Sequence, residues 1–166
     1  MASVDRKLLS IYLNDHLTAV TAGTEVAGRS ASNNEGTPLG GFLNEVRSAL
    51  DAERAVLIEL MERLGLRRDR VKESAGWAAE KVGRLKMNGS FLRYSPLSRI
   101  TELEALLLTA EATAAMWRAL AELLGGDPEH RELDFAARAT GMESLRERIE
   151  GARRPVVVEA FGAASA

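Results

Sequence analysis

The chain has 166 residues, no cysteine and a net charge of −2, with 46% hydrophobic and 5% aromatic residues. This length suits one domain that buries a core without disulfides, and the absence of cysteine excludes a disulfide framework, a thiolate metal site and a cysteine nucleophile. No stretch reaches the roughly 18 uncharged residues of a membrane span, and the first residues lack a long apolar signal segment. Ala, Leu, Glu and Arg dominate, which is typical of all-α proteins. We therefore expect a cytoplasmic, all-helical protein that does not enter a membrane.

Two long helices are predicted first, over about residues 4–31 and 38–64. Apolar residues recur at steps of three and four along both, as in helices that pack side by side. The loop between them is polar and rich in turn formers, Thr37-Pro38 suits the start of the second helix, and Gly65 suits its end. Because the loop is short, the two helices should form an antiparallel hairpin.

The next segment is strongly basic and is predicted to form a shorter helix. A short helix is predicted over about residues 69–87, with Asn88-Gly89 at its end. Residues 66–100 carry nine basic and three acidic groups, so this stretch has a charge of about +6 and the rest of the chain about −8. Charge separated in this way can guide an anionic partner or a self-complementary contact.

The third long helix, over about residues 96–124, is the most apolar. Ser95 and Pro96 suit its start, and its apolar seam is widened by Leu106, Leu108 and Ala115 beyond the stripe of a surface helix. A helix with so wide an apolar arc needs other helices around it. Its apolar excess indicates either a central place in a bundle or an interface with a partner.

A fourth long helix is predicted over about residues 128–152, with Asp127 as its cap and Pro128 in its first turn. The run Arg153-Arg154-Pro155 should stop it. The remainder, residues 155–166, is then an apolar tail that folds back or contacts a partner. His130, close to the helix start, is predicted to lie at the surface.

Four long helices with one long connection between the second and third predict a ferritin-like four-helix bundle. In this all-α fold the short basic helix lies inside the crossover, residues 65–95. A helix of about 17 residues covers about 25 Å, which is enough to carry the chain back along much of the bundle. A simple up-and-down array of five helices is the competing topology.

The sequence also resembles a group of uncharacterised bacterial ferritin-like bundle proteins. The resemblance covers most of the chain, and the runs that carry it are YLNDHL (12–17), GTPLGGFL (36–43), KVGRLKMNGS (81–90), YSPLSRITELEALLL (94–108) and MWRAL (116–120). It implies an all-α fold. It implies no activity, because the group has no established functional motif.

His16 and Glu53 are the two polar residues on otherwise apolar seams. Each lies about 18 positions from the centre of the hairpin loop, so we expect them to be level in the bundle and to face each other. Glu111 comes near the same level if the third helix begins at the loop end. A histidine and two carboxylates at one depth of a bundle could bind a divalent metal.

A structural role for this pair is the main alternative. A di-iron site needs Glu-x-x-His twice, and that spacing occurs nowhere in the chain. A buried hydrogen bond or ion pair between His16 and Glu53 would fix the helix register instead. The two side chains could also face solvent separately.

These observations favour a non-catalytic association or scaffold protein that acts as a homodimer and needs no cofactor. The alternative is a bundle that binds a single metal or a small ligand at His16, Glu53 and Glu111. Basic groups near Trp77, Phe91 and Tyr94 could contact nucleic acid, but the overall pI of about 5.8 argues against it.

Overall fold

The computed structural model describes residues 4–69 and 94–162, and the regular structure of these residues is entirely helical. It consists of four α-helices and one 3-10 helix. The α-helices are α1 (Arg6–Asn33), α2 (Pro38–Arg63), α3 (Pro96–Leu124) and α4 (Phe135–Phe161), and the 3-10 helix spans Pro128–Leu133. The all-α prediction is confirmed, whereas the short helix predicted over residues 69–87 falls almost entirely outside the described residues. None of the described helices has the length and apolar character needed to span a bilayer.

The helix ends follow local capping chemistry. The Thr37 hydroxyl accepts a hydrogen bond from the Gly40 amide at the start of α2, and the Ser95 hydroxyl accepts one from the Ser98 amide at the start of α3. Gly65, after the end of α2, has φ of 61°. This left-handed conformation reverses the chain so that the Leu66 amide reaches the Met61 carbonyl.

Side-chain pairs between helices give the helix directions. Ser30 meets Glu102 and Gly23 lies against Thr109, so α1 and α3 are antiparallel. The helices α3 and α4 are antiparallel as well, and a series of ion pairs joins them: Arg99–Glu159, Glu104–Arg153, Glu111–Arg146 and Arg118–Glu143. Since α1 and α2 form a hairpin, α2 and α3 run in the same direction. Residues 64–95 must therefore connect opposite ends of the bundle.

Each helix packs against two neighbours. The helix α1 contacts α2 and α3, and α4 contacts α3 and α2, so the four helices form a closed ring around one core. Trp117 and Leu106 of α3 and Leu50 of α2 are fully buried there. This ring is the packing of a four-helix bundle.

The predicted start of the last helix at residue 128 is wrong. Residues Pro128–Leu133 form a 3-10 helix, and the side chain of Asp127 accepts a hydrogen bond from the Glu129 amide at its start. Asp134 then takes a left-handed conformation with φ of 39°, and its carboxylate caps α4 by accepting from the Ala137 amide. The sequence contains both caps, but only the second begins the long helix.

The predicted stop at Pro155 is also wrong, because α4 continues to Phe161. Proline inside a helix costs about 3 kcal/mol. Beyond it, Val156 is buried, Val157 and Ala160 pack against the core, and Glu159 pairs with Arg99 at 3.0 Å. These tertiary contacts offset the proline cost, and the predicted apolar tail is the last part of α4 up to Phe161.

Gly40 and Gly41 give a matched test of the α1–α2 turn. A Cβ at Gly40 would lie far inside van der Waals distance of the Asn34 carbonyl oxygen, whereas a Cβ at Gly41 meets nothing. We expect Gly40→Ala to lower the free energy of unfolding by about 1–3 kcal/mol because the turn must shift. Gly41→Ala should raise it by about 0.5–1 kcal/mol, since alanine favours a helix. Urea unfolding of both variants checks this, and equal effects would contradict it.

Candidate functional site

Glu53 is bound to Arg138, not to His16. Both carboxylate oxygens of Glu53 accept from Arg138 Nη1 at 3.3 Å, and the two side chains are only 12% and 26% exposed. Arg138 Nε also donates to the Leu133 carbonyl at 2.7 Å. The pair therefore joins α2 to the start of α4.

Trp117 lies beneath this ion pair in the core. Its ring is fully buried, stacks on Phe135 with 5.9 Å between ring centroids, and has the Arg138 guanidinium 5.7 Å above it. A cation over an indole face adds electrostatic attraction. The Trp117 Nε1–H has no acceptor at hydrogen-bond geometry among the described residues, although it lies close enough to Glu53 to lower the pKa of that carboxyl.

Burial raises the pKa of Glu53 above its ordinary value, and the charge and hydrogen bond of Arg138 oppose this rise. The balance leaves the pKa raised. Since the carboxylate is held by Arg138 and covered by core side chains, we interpret it as a structural ion pair.

His16 packs against its own helix. Its ring meets the Tyr12 ring edge-on, with 4.5 Å between the centroids. Burial lowers the pKa of His16, while the Asp15 carboxylate raises it to a smaller extent. The imidazole is therefore biased toward its neutral form.

Glu111 lies on the α3–α4 edge of the bundle. Its carboxylate pairs with Arg118 at 2.9 Å and with Arg146 at 3.3 Å. Arg146 is eight residues after Arg138, the partner of Glu53. The two arginines that bind Glu111 and Glu53 are therefore about 12 Å apart along α4.

The structure does not assemble the predicted site of His16, Glu53 and Glu111. Glu53 and Glu111 each bind different arginines, and His16 packs on Tyr12. No group of three or more His, Asp or Glu side chains within residues 4–69 and 94–162 is placed to hold a metal ion.

A second polar cluster, not predicted from the sequence, fixes the start of α3. The Tyr94 hydroxyl accepts from Asn34 Nδ2 at 2.8 Å and donates to Glu102 at 2.9 Å, and the buried Ser30 hydroxyl also donates to Glu102. Partial burial and the Glu102 charge raise the pKa of Tyr94 to about 12, although the Asn34 hydrogen bond lowers it. The phenol therefore stays neutral and ties the returning chain to the end of α1.

Asn14 binds the chain that follows α2, at the other end of α1. Its side-chain amide donates to the Ser10 and Arg67 carbonyls, and its Oδ1 accepts from the Asp69 amide at 2.7 Å. A shallow groove of about 360 Å³ lies beside it, lined by Ser10, Ile11, Asn14, Arg67, Arg68 and Asp69. Asn14 follows Leu13 of the apolar seam of α1 but is not on the seam itself, so the apolar pattern did not mark it as buried.

His130 was predicted to lie at the surface, and this is wrong. Its side chain is 6% exposed because the 3-10 helix folds it inward, and its Nδ1 has no hydrogen-bond partner among the described residues. It lies beside the α4 start, away from His16.

The side of α3 that faces away from the core is apolar and uncovered. We call it the outer α3 face, and it consists of Leu108, Ala112, Ala115, Ala119 and Leu123. Leu108 is 72% exposed and Leu123 is 42% exposed. The nearby charges Glu104, Glu111 and Arg118 lie toward α4 and are paired there. Ala115 and Ala119 are exposed as well, and Ala112 is half-buried.

No protein-family model, curated protein or solved structure matches this chain. These comparisons do not test the predicted resemblance to a group of uncharacterised bacterial ferritin-like bundle proteins. Function must therefore be inferred from the geometry of these clusters and of the outer α3 face.

The Glu53–Arg138 pair predicts a strong coupling between the two side chains. Glu53→Leu alone should cost roughly 2–3 kcal/mol, because it leaves the Arg138 guanidinium half-buried without its counter-charge. The double change with Arg138→Met should cost less than the sum of the two single changes. Urea unfolding of all four proteins measures the coupling.

The exposed pair Asp51–Arg54 is the matched control, with side chains 44% and 38% exposed. The same replacements there should change the free energy of unfolding by no more than about 0.5 kcal/mol. Strictly additive losses at Glu53 and Arg138 would contradict a coupled pair.

The lowered pKa of His16 predicts acid sensitivity. A folded-state pKa below the unfolded value of 6.5 means that the stability due to neutral His16 is complete above pH 6.5 and is lost as the pH falls through the folded pKa. His16→Phe keeps a ring against Tyr12 and removes the titration. The variant should lose less free energy of unfolding than the parent between about pH 7.5 and about pH 5.5. An equal loss in both proteins would show that His16 does not contribute.

Proposed function

We propose that this protein is a non-catalytic helical bundle that works by association, as a homodimer that can serve as a scaffold. The observation that carries this proposal is the outer α3 face. Soluble monomers rarely expose contiguous apolar patches larger than roughly a few hundred Å², and such patches mark interaction sites. Leu108, at 72% exposure, is the most exposed of these side chains.

The periodicity of α3 supports the proposal. Steps of four, three, four and four residues place Leu108, Ala112, Ala115, Ala119 and Leu123 along one side of the helix. The buried residues Leu106, Ala110 and Trp117 lie on the opposite side. A helix with one apolar side inside the bundle and another facing outward has a second surface to cover.

The free energy of burying leucine side chains also supports a homodimer. Full burial of a leucine side chain stabilises an interface by about 1.5–3 kcal/mol, so two leucines from each copy give a substantial gain. Symmetric dimers are the commonest oligomers, and in them the same patch of each subunit forms the interface. The charge separation between residues 66–100 and the rest of the chain also favours contact between copies.

We propose further that the bundle is ferritin-like, with residues 64–95 as its crossover. Support comes from the closed ring of four helices and from the common direction of α2 and α3. The alternative array of five sequential helices would not need α1 to pack directly against α3. The absence of cysteine is compatible with a cytoplasmic location, which we retain as part of the proposal.

The metal-binding alternative has less support, because Glu53 and Glu111 are each neutralised by arginines. Both carboxylates would have to leave these partners to reach a common ion. We therefore assign their roles to stability and not to ligand binding.

Leu108→Glu tests the homodimer. A charge buried in an apolar interface is costly, so the variant should be monomeric at concentrations at which the parent is dimeric. Val158→Glu is the matched control, since Val158 is 71% exposed but lies on α4. Size-exclusion chromatography with light scattering compares the three, and circular dichroism checks that each is folded. A dimer that persists in Leu108→Glu but dissociates in Val158→Glu would move the interface to α4.

A further inference from the structure

Four of the five residues of the outer α3 face are placed symmetrically along the chain. Leucines stand at its two ends and alanines between them. Leu108 and Leu123 are equally far from the midpoint between residues 115 and 116, and so are Ala112 and Ala119. The fifth residue, Ala115, lies beside that midpoint.

We propose that the second copy of this chain packs on the outer α3 face in an antiparallel orientation, with the two-fold axis beside Ala115 and Met116. This inference rests on the proposed homodimer and specifies its geometry. At a two-fold interface residue i meets residue j and residue j meets residue i. The axis then sets Leu108 against Leu123 of the other copy, and Ala112 against Ala119 of the other copy.

The sizes of the side chains suit this register. Three alanines in the middle allow two helices to approach at the short end of the usual 8–10 Å range. The leucines at both ends fill the space where the helices diverge. Leucine thus meets leucine and alanine meets alanine, while Ala115 lies close to Ala115 of the other copy at the axis.

Charge complementarity selects the antiparallel orientation. Glu111 and Arg118 lie at the edge of the face, 47% and 44% exposed. The proposed axis puts Glu111 level with Leu120 of the other copy, within about 3 Å along the helix of Arg118 of that copy. Opposite charges then meet on both sides of the axis. In a parallel pair the α4 sides of the two copies would lie on opposite sides of the seam, so Glu111 and Arg118 would not meet across it.

The start of α1 lies at the same end of the bundle as Leu123. The pairing of Ser30 with Glu102 and of Gly23 with Thr109 puts the start of α1 level with Leu123. Leu8, at this end of α1, is 64% exposed. In the antiparallel dimer, Leu108 of the other copy would lie at the level of Leu8.

Cysteine cross-linking tests the register directly, because the chain contains no cysteine of its own. Ala115→Cys lies next to the axis and should form a covalent dimer under mild oxidation or with a short bifunctional thiol reagent. Leu108→Cys should not link to itself, since the two copies of residue 108 are about 22 Å apart along the helices. A mixture of Leu108→Cys and Leu123→Cys chains should link to each other. We expect yields about ten-fold above those of Leu108→Cys alone.

The outcomes separate this inference from the proposed function. Light scattering on each reduced variant reports whether a dimer exists before cross-linking. A dimer in which Val158→Cys links and Ala115→Cys does not would overturn the α3 register and leave the homodimer standing. Self-linking of Leu108→Cys without linking in the mixture would show a parallel pair. A monomer in every variant and in the parent would overturn both proposals.

Discussion

The packing of α3 between α1 and α4 is the constraint on which the rest of the structure depends. Gly23 allows α1 to approach Thr109 closely, and a row of ion pairs sets the register of α3 against α4. Because α3 runs parallel to α2, the chain must travel the length of the bundle to reach it. Asn14 and Tyr94 anchor the two ends of that connection on α1. The same position leaves one apolar side of α3 facing outward.

Local signals in the sequence were sufficient for most of the fold. Apolar periodicity, the caps Thr37 and Ser95, and Gly65 define α1, α2 and α3, because each signal acts within one or two turns. The errors concern the ends of α4. The local sequence at Pro155 predicts the end of a helix, but contacts of Val156 and Glu159 with other helices keep the helix intact. Such contacts depend on residues far away in sequence, so the local pattern could not predict them.

The candidate site was predicted less well. Equal distance of two residues from a loop predicts that they lie at the same level along the bundle, but it does not predict where their side chains point. Height was nearly right for His16 and Glu53: the α1–α3 pairing sets His16 near Met116, and Glu53 lies beside Trp117. The predicted direction of the two side chains was wrong, because successive side chains along a helix are rotated by about 100° around its axis. Glu53 therefore reached Arg138 and His16 reached Tyr12. The excess apolar surface of α3 needed no such geometry and was visible in the sequence.

Sedimentation equilibrium of the unmodified chain over a range of concentrations tests whether the outer α3 face holds two copies together. We expect a reversible monomer–dimer equilibrium that reaches twice the chain mass of 18.0 kDa and shifts toward monomer in Leu108→Glu. A single species of 18.0 kDa at every concentration would contradict it. The exposed leucines of α3 would then require a different partner.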